Sequence, residues 1–362
     1  MNAPPIDDPT FPYAAPQPIS HAVRFGLPSL RTSPPCGIAR FVSGLARALS
    51  DVDGSSVSWI DDAQVAEVDV VILQYDDNAT CGDLVGTIGR LRVPSIVVVH
   101  AIPKSPVAHQ LSALEAVAAA ADHLVVMSEG ARQRLYRTYD IDRRKVTTIP
   151  HGATLPTAPR VKRPSRPIIL TWGLLRPGKG IERVIDAMPS LADVPGRPRY
   201  LVAGPMDPRT PVADAEAYRD ARIEQARRLG VLDSVSFDPR YYDNSSLAEL
   251  IQQASVVAVP DDSTDQVSSG VLADALANGR PIVATAFPYA AELLGSGAGL
   301  VVDHDDPVAL AAALRRIITQ PRLAGSMASE VRQRAWEVAW PAVAARYREL
   351  AQRVRIAERA TT

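Results

Sequence analysis

Two segments and two isolated residues of this chain have types and spacings suited to a phosphorylated ligand. The first segment runs from Asp265 to Thr285 (DQVSSGVLADALANGRPIVAT), after the apolar run Val256 to Val259. Ser268 or Ser269 suits a helix N-cap and Asn278-Gly279 a helix stop, so the stretch reads as strand, loop, helix, strand. Such a helix presents free N–H groups, two hydroxyls and Gly270 at the positive end of its dipole, which favours phosphate. Gln266 and Asp274 lie eight residues apart, a spacing that lets both reach one ligand. The second segment is Gly173-Leu-Leu-Arg176-Pro-Gly178-Lys179-Gly180, a glycine-rich loop with two cations between an apolar strand and a helix. Gly37, at the start of another helix, allows close backbone approach or simply makes a tight turn. His100 ends an apolar run, where open α/β sheets bind their ligands.

The elements that must position these residues alternate along the chain. The first half predicts strands at Ala22 to Leu27, Asp69 to Tyr75, Ser95 to His100, His123 to Met127 and Lys145 to Ile149. Helices fall between them, the last starting at Ser128-Glu129. The second half repeats the plan, with strands at Pro167 to Trp172, Tyr200 to Ala203, Val235 to Phe237, Val256 to Val259, Ile282 to Ala284 and Leu300 to Val302. Near-continuous Val/Ile runs are what parallel strands covered on both faces require. The reading is an α/β chain in five parts: a Pro-rich tail (1–20), a first Rossmann-like domain (21–156), a linker (157–167), a second Rossmann-like domain (168–335) and a C-terminal helix and tail (336–362).

Composition narrows the function classes. The chain has 362 residues, 46% hydrophobic and 22% charged, with a net charge of −1. That is an ordinary globular balance with no electrostatic reason to bind nucleic acid. Two cysteines, Cys36 and Cys81, make no framework, and no Cys/His spacing suggests a structural metal. No run is long enough for a membrane span, and the Pro-rich start is unlike a signal peptide, so a cytoplasmic protein is expected. Arg132, Arg134 and Arg137 make one helix basic. This is either a solvated face or a weak peripheral contact with anionic lipid at the inner membrane face.

The glycine-rich loop fits G-x-x-x-x-G-K, so a P-loop nucleoside triphosphatase is one reading. Against it, position 180 is Gly where a hydroxyl would hold Mg²⁺, the motif sits mid-chain, and no nearby apolar strand is read as ending in a lone Asp.

The segment Asp274 to Ala284 (DALANGRPIVA) resembles the second half of the pattern E-x7-E-A-x-A-x-G-x-P-V-V-A. That pattern belongs to the retaining, metal-independent "glycosyl transferases group 1" (family 4), with Gln266 standing for the first Glu and Asp274 for the second. Pro150-His151-Gly152 is similar to the family as well, and Cys36-Gly37-Ile38-Ala39-Arg40-Phe41, with Arg40 in place of the usual Thr, and Gly173 to Glu182 are similar to a mannosyltransferase-like subgroup. The resemblance implies the GT-B fold, two Rossmann-like doubly wound parallel sheets facing a cleft, with the final helix crossing back to the first domain.

It also implies site roles. Arg176 and Lys179 hold the diphosphate, with Gly173 opening their loop, and Ser268, Ser269 and Gly270 contact the diphosphate as well. Gln266 meets sugar hydroxyls, Asp274 the ribose, and His100 the sugar near the reacting centre. The implied activity is transfer of a hexose, mannose from GDP-mannose first, to a glycan, lipid-linked or small-molecule acceptor, with no cofactor and no metal. Asp76-Asp77 is accordingly read as loop. A non-catalytic nucleotide-sugar-binding homologue is the other alternative, since Gln266 and Asp274 depart from the pattern.

Overall fold

A computed structural model describes residues 22–29, 36–60, 67–76, 83–156 and 164–361. The Pro-rich stretch 1–20, Asp77, Cys81 and linker residues 157–163 lie outside these. Among the described residues twelve strands form two sheets: β1 (Val23–Pro28), β2 (Ser55–Ile60), β3 (Val70–Tyr75), β4 (Ser95–Val99), β5 (His123–Val126) and β6 (Val146–Thr148), then β7 (Ile168–Trp172), β8 (Arg199–Ala203), β9 (Val235–Asp238), β10 (Val256–Val259), β11 (Ile282–Thr285) and β12 (Gly299–Val302). The helices of the first half are α1 (Gly37–Ser50), α2 (Leu84–Arg90), α3 (Ala108–Ala120) and α4 (Glu129–Thr138). Those of the second are α5 (Ile181–Ala187), α6 (Val212–Arg228), α7 (Asn244–Gln253), α8 (Gly270–Ala277), α9 (Pro288–Leu294), α10 (Pro307–Thr319), α11 (Pro321–Arg334) and α12 (Trp340–Thr361).

The first sheet has the order β2-β1-β3-β4-β5-β6 and the second β12-β11-β10-β7-β8-β9, with every pairing parallel. The central strands β3, β4 and β7 are buried along their whole length, as expected of apolar runs covered by helices on both faces. In the second sheet the strand order reverses between β7 and β10. The loops after these two strands therefore diverge and leave a crevice at their carboxyl ends. These are the glycine-rich loop and the loop leading to Ser269, so topology alone brings the two phosphate segments together. This is the GT-B architecture.

Strand β2 was not foreseen. Its sequence, SSVSWI, has no apolar run, because it is a half-exposed edge strand beside β1. The last helix returns to the first domain. Val343, Tyr347 and Leu350 of α12 share a core with Phe25, Leu27, Phe41 and Leu45, and Tyr347 is fully buried.

Candidate active site

Between the two sheets lies a cleft of about 320 Å³. Its walls bring together the residues expected to meet the donor: Gly37 and His100 from the first domain, and Gly173, Arg176, Lys179, Gln266, Ser268, Ser269, Gly270 and Asp274 from the second.

The glycine-rich loop is stitched to the loop after β10. Asp262 N donates to Gly178 O at 3.0 Å, and Lys179 Nζ lies 3.1 Å from Asp261 Oδ1. Gly180 has φ +61°, and a Cβ there would stand 1.8 Å from Pro260 O, so only glycine lets the loops meet. Beyond the end of β10 at Val259 an acid nevertheless comes within reach of this loop. β10 is followed by Pro260-Asp261, and Asp261 pairs with the loop lysine. Arg176 Nε lies 3.7 Å from Asp207 Oδ2, and Arg209 binds the same carboxylate through two nitrogens at 3.1 and 2.8 Å. Desolvation pushes the Asp207 pKa up, but the Arg209 hydrogen bonds outweigh it and hold the group below the ordinary carboxylate value. One buried acid thus fixes two arginines in the crevice wall.

At the other wall Ser269 caps α8, its hydroxyl accepting from Leu272 N at 3.2 Å. The Ser268 hydroxyl donates to His100 O across the cleft at 3.3 Å. The Ser269 hydroxyl only accepts there, so its O–H and the free N–H groups of the first turn of α8 are what the helix offers a phosphate. Gln266 Nε2 donates to Ser268 O at 2.9 Å.

Asp274 faces Arg40 of α1 (Nη2 to Oδ2, 3.8 Å), and the same nitrogen donates to Asn244 Oδ1 at 3.2 Å. Desolvation between the cleft walls pushes the Asp274 pKa up to about 6, with the Arg40 charge opposing it. Cys36 caps α1, its Sγ accepting from Ala39 N at 3.5 Å, which is a structural role.

Two histidines flank the edge of Phe41, His100 at 5.3 Å and His151 at 5.1 Å between ring centroids. Burial pushes His100 down to about 3 and His151 to about 4, so both are neutral at pH 7. His100 Nε2 bonds Gln74 Oε1 at 2.8 Å and therefore carries the proton, leaving Nδ1 as the lone pair. In His151 the bond from Nδ1 to Gly152 O leaves the lone pair on Nε2. That nitrogen lies against the start of α8, where a Cβ on Gly270 would come within 3.1 Å of it. His151, Arg40, Asn244 and Arg209 line the cleft but were not among the expected site residues. Pro150-His151-Gly152 and the unusual Arg40 were the available signals. Nothing in the loop around Arg209 marks it.

Arg134 corrects the membrane expectation. It is only 8% exposed and spends its guanidinium on backbone carbonyls, because α4 turns this residue inward. Arg132 pairs with Glu129 at 2.9 Å, and Arg137 alone of the three is exposed without a partner of this kind among the described residues. No helix among the described residues is long and apolar enough to cross a membrane. Among those residues no group of three or more His, Cys, Asp or Glu side chains could hold a metal ion.

Residues 158–334 match the model of the family "Glycosyl transferases group 1". The D-inositol 3-phosphate glycosyltransferase of Kineococcus radiotolerans is 29% identical over 253 residues, covering 63% of this chain and 56% of that protein. The match thus spans little more than half the length of the relative. Among solved structures, sucrose-phosphate synthase from Thermosynechococcus elongatus superposes with a TM-score of 0.73 at 20% identity, over 92% of this chain and all of the other. Anabaena Alr3699/HepE in complex with UDP and glucose gives 0.71 at 16%, over 91% and 99%.

Proposed function

We propose, from the match of residues 158–334 to the glycosyl transferases group 1 family, that this chain is an enzyme moving a hexose from a nucleotide sugar to an acceptor hydroxyl with retention of configuration. The observation that carries this reading is the convergence of Arg176, Lys179 and the α8 N-terminus on one crevice at the strand-order reversal. Breaking a sugar–diphosphate bond leaves negative charge on the phosphate and builds positive charge at the anomeric carbon. Two fixed cations and a helix dipole aimed at the leaving group stabilise that separation without a metal. Lys179 has three N–H donors, so it can hold Asp261 and a phosphate oxygen together.

In this reading Asp274 accepts from the ribose and Gln266 meets the sugar hydroxyls with an amide that both donates and accepts. His100 presents a neutral imidazole near the anomeric carbon. The acceptor enters from the first domain, and the leaving phosphate takes its proton on the face the bond departs from. The resemblance favours GDP-mannose as donor. The UDP and glucose held by a structural neighbour favour UDP-glucose, and the inositol phosphate in a relative's name is the first acceptor to try.

The test is release of nucleoside diphosphate from UDP-glucose and GDP-mannose by the purified protein, with and without inositol phosphate. Release from one donor, lost in Arg176→Ala, supports the reading. Hydrolysis of ATP that requires Mg²⁺, with neither donor turned over, overturns it.

A further inference from the structure

We propose that Arg134 is a positioning residue that makes the Asp265 to Ser268 loop, and with it Gln266, mechanically part of the first domain. The loop lies within the second domain's sequence, yet its anchors come from the first. Arg134 Nη1 donates to Ile102 O at 2.9 Å and to Asp265 O at 2.6 Å, clamping the two domains' loops with one nitrogen. Ser128 Oγ donates to Val267 O at 2.8 Å, and Ser268 Oγ to His100 O at 3.3 Å. The Val267 side chain is 3% exposed and belongs to the first domain's hydrophobic cluster, with Val99, Ile102, Ala131 and Leu135. Next to this seam Glu292 of α9 accepts from Glu129 N and Gly130 N at 2.9 and 2.8 Å, so a second-domain carboxylate caps α4 at its positive end.

The two cations assigned to the diphosphate are supported differently. Lys179 rests on Asp261 and Arg176 on Asp207, all four within the second domain. The two ends of a nucleotide sugar would therefore meet two supports, the diphosphate end held by the second domain and the sugar end by the first. This rests on the reading of Gln266 as the sugar contact. It goes further in making recognition of the sugar, but not of the nucleotide, depend on a residue that touches neither. Closure of the domains is then what completes the sugar site.

The test uses Arg134→Met, which keeps the apolar stem and removes both hydrogen bonds. Val267→Ala, which loosens the same loop by another route, serves as the second variant. Amide hydrogen exchange on the unliganded full chain should quicken across 265–268 by about tenfold to a hundredfold, the factor a charge-assisted hydrogen bond carries. The β10 and β11 amides should not change. Affinity for UDP or GDP should stay within about twofold, while affinity for UDP-glucose or GDP-mannose falls about tenfold or more. Unchanged exchange in both variants overturns the proposal, as does an equal loss for nucleotide and nucleotide sugar. A wild type that binds neither sugar donor refutes the donor reading instead, and the exchange experiment still decides whether Arg134 holds the loop.

Discussion

Replacing Lys179 should cost both turnover and stability, and the two losses should be separable. Sequence alone suggests a loop cation whose removal leaves the fold intact. In the structure Lys179 is the partner of Asp261, with side-chain exposures of 19% and 6%. Breaking a buried ion pair from one side costs about 3–5 kcal/mol, because the remaining charge is stranded. Lys179 is about one-fifth exposed, so water returns part of that loss, and Lys179→Ala should destabilise the second domain by roughly 2–3 kcal/mol. For a domain of this size that is a fall of roughly 5–10 °C in melting temperature. Adding Asp261→Asn removes the stranded charge, and the double variant should return to within about 1 kcal/mol of wild type. Turnover should not return. Loss of one cation from the leaving phosphate costs about a hundredfold or more in kcat in either background. The assay is a melting curve and a nucleoside diphosphate release rate for all four proteins of the cycle. A double variant that regains turnover along with stability would show that Lys179 acts only through the loop, and the phosphate role would be wrong.

Three further outcomes are expected. Asp274, raised to about 6, loses its charge as pH falls through that value, so the KM for the donor should rise about tenfold between pH 7.5 and 5. Asp274→Asn should flatten the profile. Because the folded pKa lies above the unfolded one, the fold gains stability from protonating Asp274 as pH falls through about 6. The opposite holds for His100 and His151, which weaken the fold as pH falls from 6.5 towards their values of about 3 and 4, so far-UV circular dichroism should accompany each KM. Gln266→Ala should lose far more transfer than Gln266→Glu; a Glu variant many times faster than wild type would mean that charge, not hydrogen bonding, is needed there. Turnover should survive excess EDTA, since Arg176, Lys179 and the α8 N-terminus supply the positive charge; activity restored only by Mg²⁺ or Mn²⁺ would reverse this.

The parts of the site legible in the sequence are those whose signal is local. Gly173 to Gly180 follows an apolar run and opens a helix, and Ser269 precedes helix formers. Both facts are written in neighbouring residues, and parallel topology then forces the two loops together. What could not be read depends on pairs far apart in the chain. Arg134 and Asp265 are 131 residues apart, and only the approach of the domains shows that this arginine points inward rather than to solvent or lipid. The same holds for Arg40, which reaches Asn244 across 204 residues. Val267 looks like one apolar residue in a polar loop, and its burial in another domain's core leaves no periodic trace. Strand β2 was missed for a different reason. As an edge strand it buries little, so its residues are not selected for apolarity.

The central claim is that the crevice between the β7 and β10 loops holds the diphosphate of a nucleotide sugar. A crystal structure of the protein with the nucleotide sugar that most raises its melting temperature tests this most directly. The account predicts phosphate oxygens about 3 Å from Arg176, Lys179 and a first-turn amide of α8, with the ribose at Asp274 and the sugar at Gln266. A diphosphate wrapped instead by the Gly173 to Gly180 backbone, with a metal ion bridging it to Asp261, would contradict it.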